Sequence, residues 1–145
     1  LTLTAMLFAV LSLITVAPAS ALSPEQLGNT VYHGIYDDAI QLEDGTYEGE
    51  PFQEGGASRP TVTLLDALIA FGDLNGDGSD DAALVLNEDS GGSGTFSYLA
   101  VVLNDNEQPF NEVALSLGDR VSIKSIAIED AQVVLEFIAA EETSF

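Results

Sequence analysis

Short apolar stretches recur along the chain about every eight to twelve residues, and turn-forming residues separate them. The last two stretches, 121–128 and 133–137, carry apolar residues at alternate positions, which is typical of strands with one buried face. We expect strands at 31–36, 39–43, 46–48, 61–71, 82–86, 96–103, 113–117, 121–128 and 133–137. No convincing amphipathic helix competes with them. The pattern therefore predicts a mostly β fold, a single antiparallel domain that is sandwich-like or barrel-like.

Three details of the pattern predict local structure. The run 96–103 is apolar at both odd and even positions, so we expect it to be the central strand, covered on both faces. The run 61–71 is one long strand or two strands broken near Asp66. Asp44 and Gly45 predict a two-residue hairpin turn, and Lys124 and Ser125 lie where the apolar parity changes, which indicates a bulge.

A short helical turn is predicted before the first strand. Ser23 is a suitable N-cap, Pro24 suits the first helical position, and Gln26 is placed to complete a capping box. This turn leads into the β domain.

Residues 1–21 carry no charge and end in the small residues Ala19, Ser20 and Ala21. An apolar core followed by a small-x-small site predicts a signal peptide cleaved after Ala21. A membrane anchor is the alternative, but the apolar core is shorter than the ~20 residues that a spanning helix needs. The initiator Met and basic start of such a signal are absent, so we expect the natural chain to begin upstream.

The remaining residues, 22–145, are enough for one domain with a core. The chain has 24 acidic and three basic residues, a formal net charge of -21, and no cysteine. Nucleic-acid binding needs a basic surface, so this charge excludes it, and it disfavours anionic membranes likewise. We expect an exported, periplasmic or extracellular protein without disulfides and without membrane insertion after signal cleavage.

One segment has residue types and spacing that favour a particular chemistry. Asp73, Asn75 and Asp77 occupy positions one, three and five of a D-x-N-x-D-G pattern, and Asp81 occupies position nine. We predict one Ca²⁺ bound by these side chains and by the backbone carbonyl of Ser79. An ordinary solvated turn is the alternative, because Asp, Asn and Gly also favour turns.

The segment 72–81 resembles the calcium loops of FG-GAP repeats, and more distantly those of dockerins and thrombospondin type-three repeats. Position twelve, a glutamate in EF-hands, is Leu84 here, so the loop is not an EF-hand. The apolar run 82–86 indicates instead that the loop leads into a buried strand. Because the motif occurs once, the resemblance implies the ion and not a propeller fold.

A wider set of segments resembles a family of exported bacterial proteins that has no established activity. The segments are 58–65, 72–81, 91–96, 98–104 and 117–121. The resemblance covers residues 22 to about 137, and it implies a chain that continues beyond Phe145.

Three functions follow from these observations. The first is a secreted, non-catalytic module stabilised by Ca²⁺, with a protein or glycan partner. The second is an adhesive or inhibitory interaction domain without functional calcium, which would bind through the loop 50–60 or an aromatic face of Tyr32, Tyr36, Tyr47 and Phe52. The third and weakest is a hydrolase that uses paired carboxylates, for which acidic residues such as Glu48, Glu50 and Asp66 are available.

We expect no enzymatic activity. His33 is the single histidine, and with no cysteine in the chain it has neither a second histidine nor a thiol as a partner in catalysis or zinc binding.

Overall fold

The computed structural model describes residues 20–92 and 94–138 of the 145-residue chain. Within them it has one four-residue helix, α1 (Pro24–Leu27), and nine strands. The strands are β1 (Val31–Tyr32), β2 (Ile40–Gln41), β3 (Thr46–Glu48), β4 (Thr61–Gly72), β5 (Asp81–Asp89), β6 (Thr95–Asp105), β7 (Gln108–Asp119), β8 (Ser122–Glu129) and β9 (Gln132–Ile138). The prediction of a mostly β, antiparallel single domain is confirmed.

The main sheet has five antiparallel strands in the order β3-β4-β5-β6-β7 and curls like half of a barrel. Neighbours in this sheet are also neighbours in sequence, and the long loop 49–60 joins β3 to β4. β1 pairs with β2, and β8 pairs with β9, in two separate two-stranded sheets.

The hydrophobic core lies against the concave face of the main sheet. Alternate residues of β5, namely Ala82, Leu84 and Leu86, point into it. Leu27 of α1 and Tyr32 of β1 close the core from the N-terminal side, and both side chains are fully buried. The short N-terminal elements thus cover the core on this face of the main sheet.

The strand that is covered on both faces is β5, and the prediction that 96–103 has this position is wrong. Ala83 and Val85, on the second face of β5, are as buried as the core residues of the first face. β8 packs against β4 and β5 and supplies this cover. In β6, by contrast, Ala100 is buried on one face of the strand, while the apolar residues on the opposite face are only half-buried.

The predicted N-terminal cap is confirmed. The Ser23 hydroxyl accepts a hydrogen bond from the Gln26 amide at 3.2 Å, and the Ser23 amide donates to Gln26 Oε1 at 2.9 Å. This capping box begins α1 and orients Leu27 toward the core.

Two predicted strands are longer than the strands observed. The region 31–36 is a strand only over β1, and 39–43 only over β2. Gly34 has a positive φ of 90°, which turns the chain away from an extended path soon after Tyr32. The turn at Asp44 and Gly45 has the predicted left-handed conformation, with φ values of 49° and 84°.

The irregularities expected in the longer strands are present. β4 is one strand whose pairing with β5 shifts register between Leu64 and Ile69, around the predicted break at Asp66. The register of β8 and β9 shifts between Ile123 and Ser125, which confirms the bulge predicted at Lys124.

The predicted signal peptide falls almost wholly on residues 1–19, outside the described residues. In residues 20–92 and 94–138, no helix has the length and apolar character needed to cross a membrane.

Candidate metal site

The predicted calcium loop joins β4 to β5, the two strands at the centre of the fold. Gly72 and Asp81 pair across the base of the loop, and residues 73–80 form the turn between them. As predicted, the loop leads directly into a buried strand, since residues 81–86 are all buried.

Asp73, at position one, is held by the backbone of its own loop. Its Oδ1 accepts a hydrogen bond from the Gly76 amide at 2.7 Å, and its Oδ2 accepts one from the Gly78 amide at 2.9 Å. Both glycines have positive φ, 77° and 87°, which turns these amides inward. The bond from Gly78, aided by that from Gly76, lowers the pKa of the Asp73 carboxyl below its ordinary value.

Asn75 and Asp77, at positions three and five, turn back onto the loop in the same way. Asn75 Oδ1 accepts from the Asp77 amide at 3.1 Å, and Asp77 Oδ1 accepts from the Ser79 amide at 2.8 Å. These are Asx turns, and both side chains are exposed. Asp77 keeps its second carboxylate oxygen available, and each engaged oxygen keeps a further lone pair.

Asp81, at position nine, has a different environment from the other acids of the loop. Its side chain is fully buried. Its Oδ2 accepts from the Leu74 amide at 2.8 Å, and its Oδ1 accepts from the Asn104 amide at 2.9 Å. Asp81 therefore ties the start of the loop to the end of β6.

Asn104 extends this buried connection, and sequence reasoning missed it. Its side-chain amide donates to the backbone carbonyls of Ser20 and Asp80, at 3.0 and 3.2 Å. Its Oδ1 accepts from the Glu107 amide at 2.8 Å. The sequence signal was the turn-forming run 104–109, which predicts a turn but not the contact of Asn104 with Asp80, 24 residues upstream.

The donor chemistry of the loop fits Ca²⁺, because all candidate ligands are oxygens and alternate ones come from one tight turn. Among residues 20–92 and 94–138, however, no three Asp, Glu, His or Cys side chains are grouped closely enough to hold a metal ion on their own. A Ca²⁺ site here would need the Asn75 side chain and the Ser79 carbonyl as well as the carboxylates.

The residues considered for hydrolysis lie on the surface. Glu48, Glu50 and Asp66 are exposed, and Glu48 lies 3.6 Å from the Arg59 guanidinium. His33 is exposed, and its backbone amide donates to Asn111 Oδ1.

The predicted aromatic face is not formed as one surface. Tyr32 is in the core, where its hydroxyl donates to the Leu27 carbonyl at 2.9 Å. Phe52, in the loop 50–60, is 57% exposed. Tyr36 and Tyr47 do come together, with ring centroids 6.2 Å apart.

Comparison of the chain with protein-family models, with curated proteins and with solved structures finds no match.

Proposed function

We propose that the protein is an exported, non-catalytic β module whose fold is stabilised by one structural Ca²⁺ in the loop 73–81. The ligands are side-chain oxygens of Asp73, Asn75 and Asp77 and the backbone carbonyl of Ser79, with Asp81 holding the base of the loop. The module presents its remaining surface to a protein or glycan partner.

The observation that carries this proposal is the hydrogen bonding of Asp73, Asn75 and Asp77. Their side chains fold back over one turn of the backbone. An ion that enters this turn meets side chains that the loop backbone already orients. Binding therefore costs less conformational entropy than it would in an unordered acidic segment.

The consequence of binding is stabilisation of the β4–β5 hairpin. A ligand that binds only the folded state stabilises it by about 1.4 kcal/mol at tenfold excess over its Kd. The loop lacks the bidentate glutamate of EF-hands, so we expect a Kd of about 10⁻⁴ to 10⁻³ M, the range of extracellular modules. Such an affinity is useful outside the cytoplasm, which agrees with the predicted signal peptide.

Calorimetric titration of the protein with CaCl₂ tests the site. The proposal expects one specific site, which persists in a background of MgCl₂ and is lost in Asp77→Asn. Asp130→Asn is the matched control, since it removes an exposed acid from the β8–β9 turn and leaves the loop intact. Loss of binding in both variants, or in neither, would assign the heat to diffuse attraction by the acidic surface.

An interaction domain without functional calcium is the second candidate. It is favoured by Phe52, which lies in the predicted binding loop 50–60 and is 57% exposed. A protein that binds no Ca²⁺ in the titration and still retains its fold would support this alternative.

A further inference from the structure

A cleft lies beside the turn that joins β2 to β3, away from the candidate metal loop. It consists of two adjoining hollows of about 510 and 520 Å³ that share Ala39, Ile40 and Tyr47 as lining residues. Tyr36 and Pro60 also line the second hollow. Each volume is within the range of small-ligand sites.

Two tyrosine rings form a corner of this cleft. The ring centroids of Tyr36 and Tyr47 are 6.2 Å apart, and the ring planes are inclined at 49°. Both side chains are half-buried and pack against the hydrophobic core, so their positions are fixed by the fold. Two inclined rings present two electron-rich faces to one compact group.

A buried carboxylate lies behind the corner. The Tyr36 hydroxyl donates to Glu88 Oε1 at 2.9 Å, and Glu88 is only 4% exposed. Among the described residues no Lys, Arg or His lies within 4.0 Å of this carboxylate. Donating this hydrogen bond to a carboxylate also polarises the phenol of Tyr36 and makes its ring a better partner for a cation.

The mouth of the cleft is acidic. Asp37 and Asp38 line the second hollow and are exposed, and Glu43 and Glu48 line the first. Arg59 is the basic side chain near them, and it pairs with Glu48 at 3.6 Å. The net charge of -21 adds a long-range attraction for positive ligands.

We propose that this cleft binds a small organic cation, an alkylammonium group that enters the corner between Tyr36 and Tyr47 and is attracted by the carboxylates around it. The source of this group is either a free amine or the side chain of a basic peptide. The site does not depend on the proposed calcium loop.

The geometry favours a cation over a sugar. Sugar rings stack on flat, open aromatic surfaces, whereas the two rings here are inclined by 49° and enclose a corner. A neutral ligand would also lack the charge attraction that the acidic mouth offers to a cation.

The test is an NMR titration of the full chain, in chelator and at fixed ionic strength, with choline and with 3,3-dimethylbutan-1-ol. The second compound has the same shape without the charge. We expect choline to shift the signals of Tyr36, Tyr47 and Ala39 in a saturable way, and the alcohol to bind at least tenfold more weakly. Equal binding of the two compounds, or of a neutral disaccharide, would overturn the proposal.

Variants separate the cleft from general attraction by charge. Tyr47→Leu should weaken choline binding about fivefold, the effect of losing one cation–π contact. Because Tyr47 also packs on the core, the double variant Asp37→Asn/Asp38→Asn provides a second test on exposed residues and should weaken binding as well. Asp130→Asn, outside the cleft, should bind as the wild type does, and a loss of equal size in that control would contradict a specific site.

The two sources of the cation are distinguished by a second titration. A lysine-containing tripeptide that binds more tightly than choline, with the same residues shifted, identifies a basic peptide as the source. Tighter binding of choline identifies a free amine. Failure of both ligands to bind would refute the proposal and would leave the calcium titration unaffected.

Discussion

Asp81 shows how the position of one carboxylate in the fold determines its role. Spacing alone makes it the fourth side chain of an ion site, but its side chain is fully buried and both its oxygens accept backbone amides. A buried carboxylate with two such bonds is well satisfied, and losing either of them leaves an amide unpaired. Asp81 therefore contributes to stability whether or not the loop holds an ion.

Replacement of Asp81 by Asn should destabilise the protein by about 2 kcal/mol, measured by urea unfolding in chelator. Asn has one acceptor oxygen, so one of the amides of Leu74 and Asn104 would face an NH₂ group. Asp80→Asn is the control, because the Asp80 side chain is exposed, and should change stability by less than about 0.5 kcal/mol. Equal effects of the two substitutions would show that the buried hydrogen bonds of Asp81 contribute no more to stability than the exposed side chain of Asp80 does.

The raised pKa values of three tyrosines predict how stability changes with pH in the alkaline range. Burial raises the pKa values of Tyr32, Tyr36 and Tyr98, and Glu88 adds to the effect on the last two. The unfolded chain releases these protons at a pKa of about 10, while the folded chain retains them. Their contribution to stability is thus complete below pH 10 and decreases as pH rises beyond it.

We expect the free energy of unfolding to decrease steeply above about pH 10, and the decrease to be smaller in Tyr32→Phe. The measurement is the urea midpoint as a function of pH for the two proteins. Parallel curves would mean that Tyr32 ionises as easily in the folded state as in the unfolded state.

The bonds of Asn75 and Asp77 to their own loop follow from local sequence, because Asx turns and the glycines at 76 and 78 are local features. Local sequence could not predict the burial of Asp81, since that depends on an amide 23 residues away in β6. The Tyr36–Glu88 bond, which spans 52 residues, was equally beyond local patterns. In this protein the hydrogen bonds between nearby residues could be predicted from the sequence, and those between distant residues could not.

At the scale of elements, the two most apolar strands could not be ranked from their sequences. Residues 82–86 and 96–103 are both apolar on both parities, yet only β5 is buried on both faces. The difference arises because β8 packs against β4 and β5. Whether the β8–β9 hairpin covers β5 or β6 depends on tertiary packing, and the sequences of these two strands give little indication of it.

Gly72 marks the contact between that hairpin and the main sheet. A Cβ at this position would lie 2.6 Å from Cγ2 and 2.9 Å from Cβ of Ile128 in β8. Gly72→Ala should therefore force β8 away from β4 and destabilise the protein by about 1–3 kcal/mol in urea unfolding.

Gly92 provides the control for this substitution. Its added Cβ would meet its nearest atom at 4.0 Å, and no positive φ restricts it. Gly92→Ala should be neutral within about 0.5 kcal/mol. If Gly72→Ala is as mild as Gly92→Ala, the packing of β8 on β4 is looser than the structure indicates.

At the scale of the whole molecule, the net charge of -21 opposes the compact state. Only two ion pairs are found among the described residues, Arg59 with Glu48 and Arg120 with Asp119, and neither is buried. Repulsion among the surface carboxylates is therefore reduced mainly by screening from dissolved ions.

In chelator, the melting temperature should rise as NaCl is increased, and KCl should have the same effect, because screening depends on ionic strength and not on the identity of the ion. Differential scanning calorimetry at several concentrations of each salt measures this. A melting temperature that does not change with salt would mean that the exposed carboxylates are too far apart to repel one another.

The central claim is that one Ca²⁺ in the loop 73–81 stabilises the fold beyond such screening. The most direct measurement is the thermal unfolding midpoint of the wild type and of Asp77→Ala, in chelator and in millimolar CaCl₂, with MgCl₂ at matched ionic strength. We predict that Ca²⁺ raises the wild-type midpoint by roughly 5 °C at tenfold excess over the Kd, more than Mg²⁺ does, and that Asp77→Ala abolishes this difference. Identical midpoints of the wild type in Ca²⁺ and Mg²⁺ would contradict the claim and would make the loop a hydrogen-bonded turn without an ion.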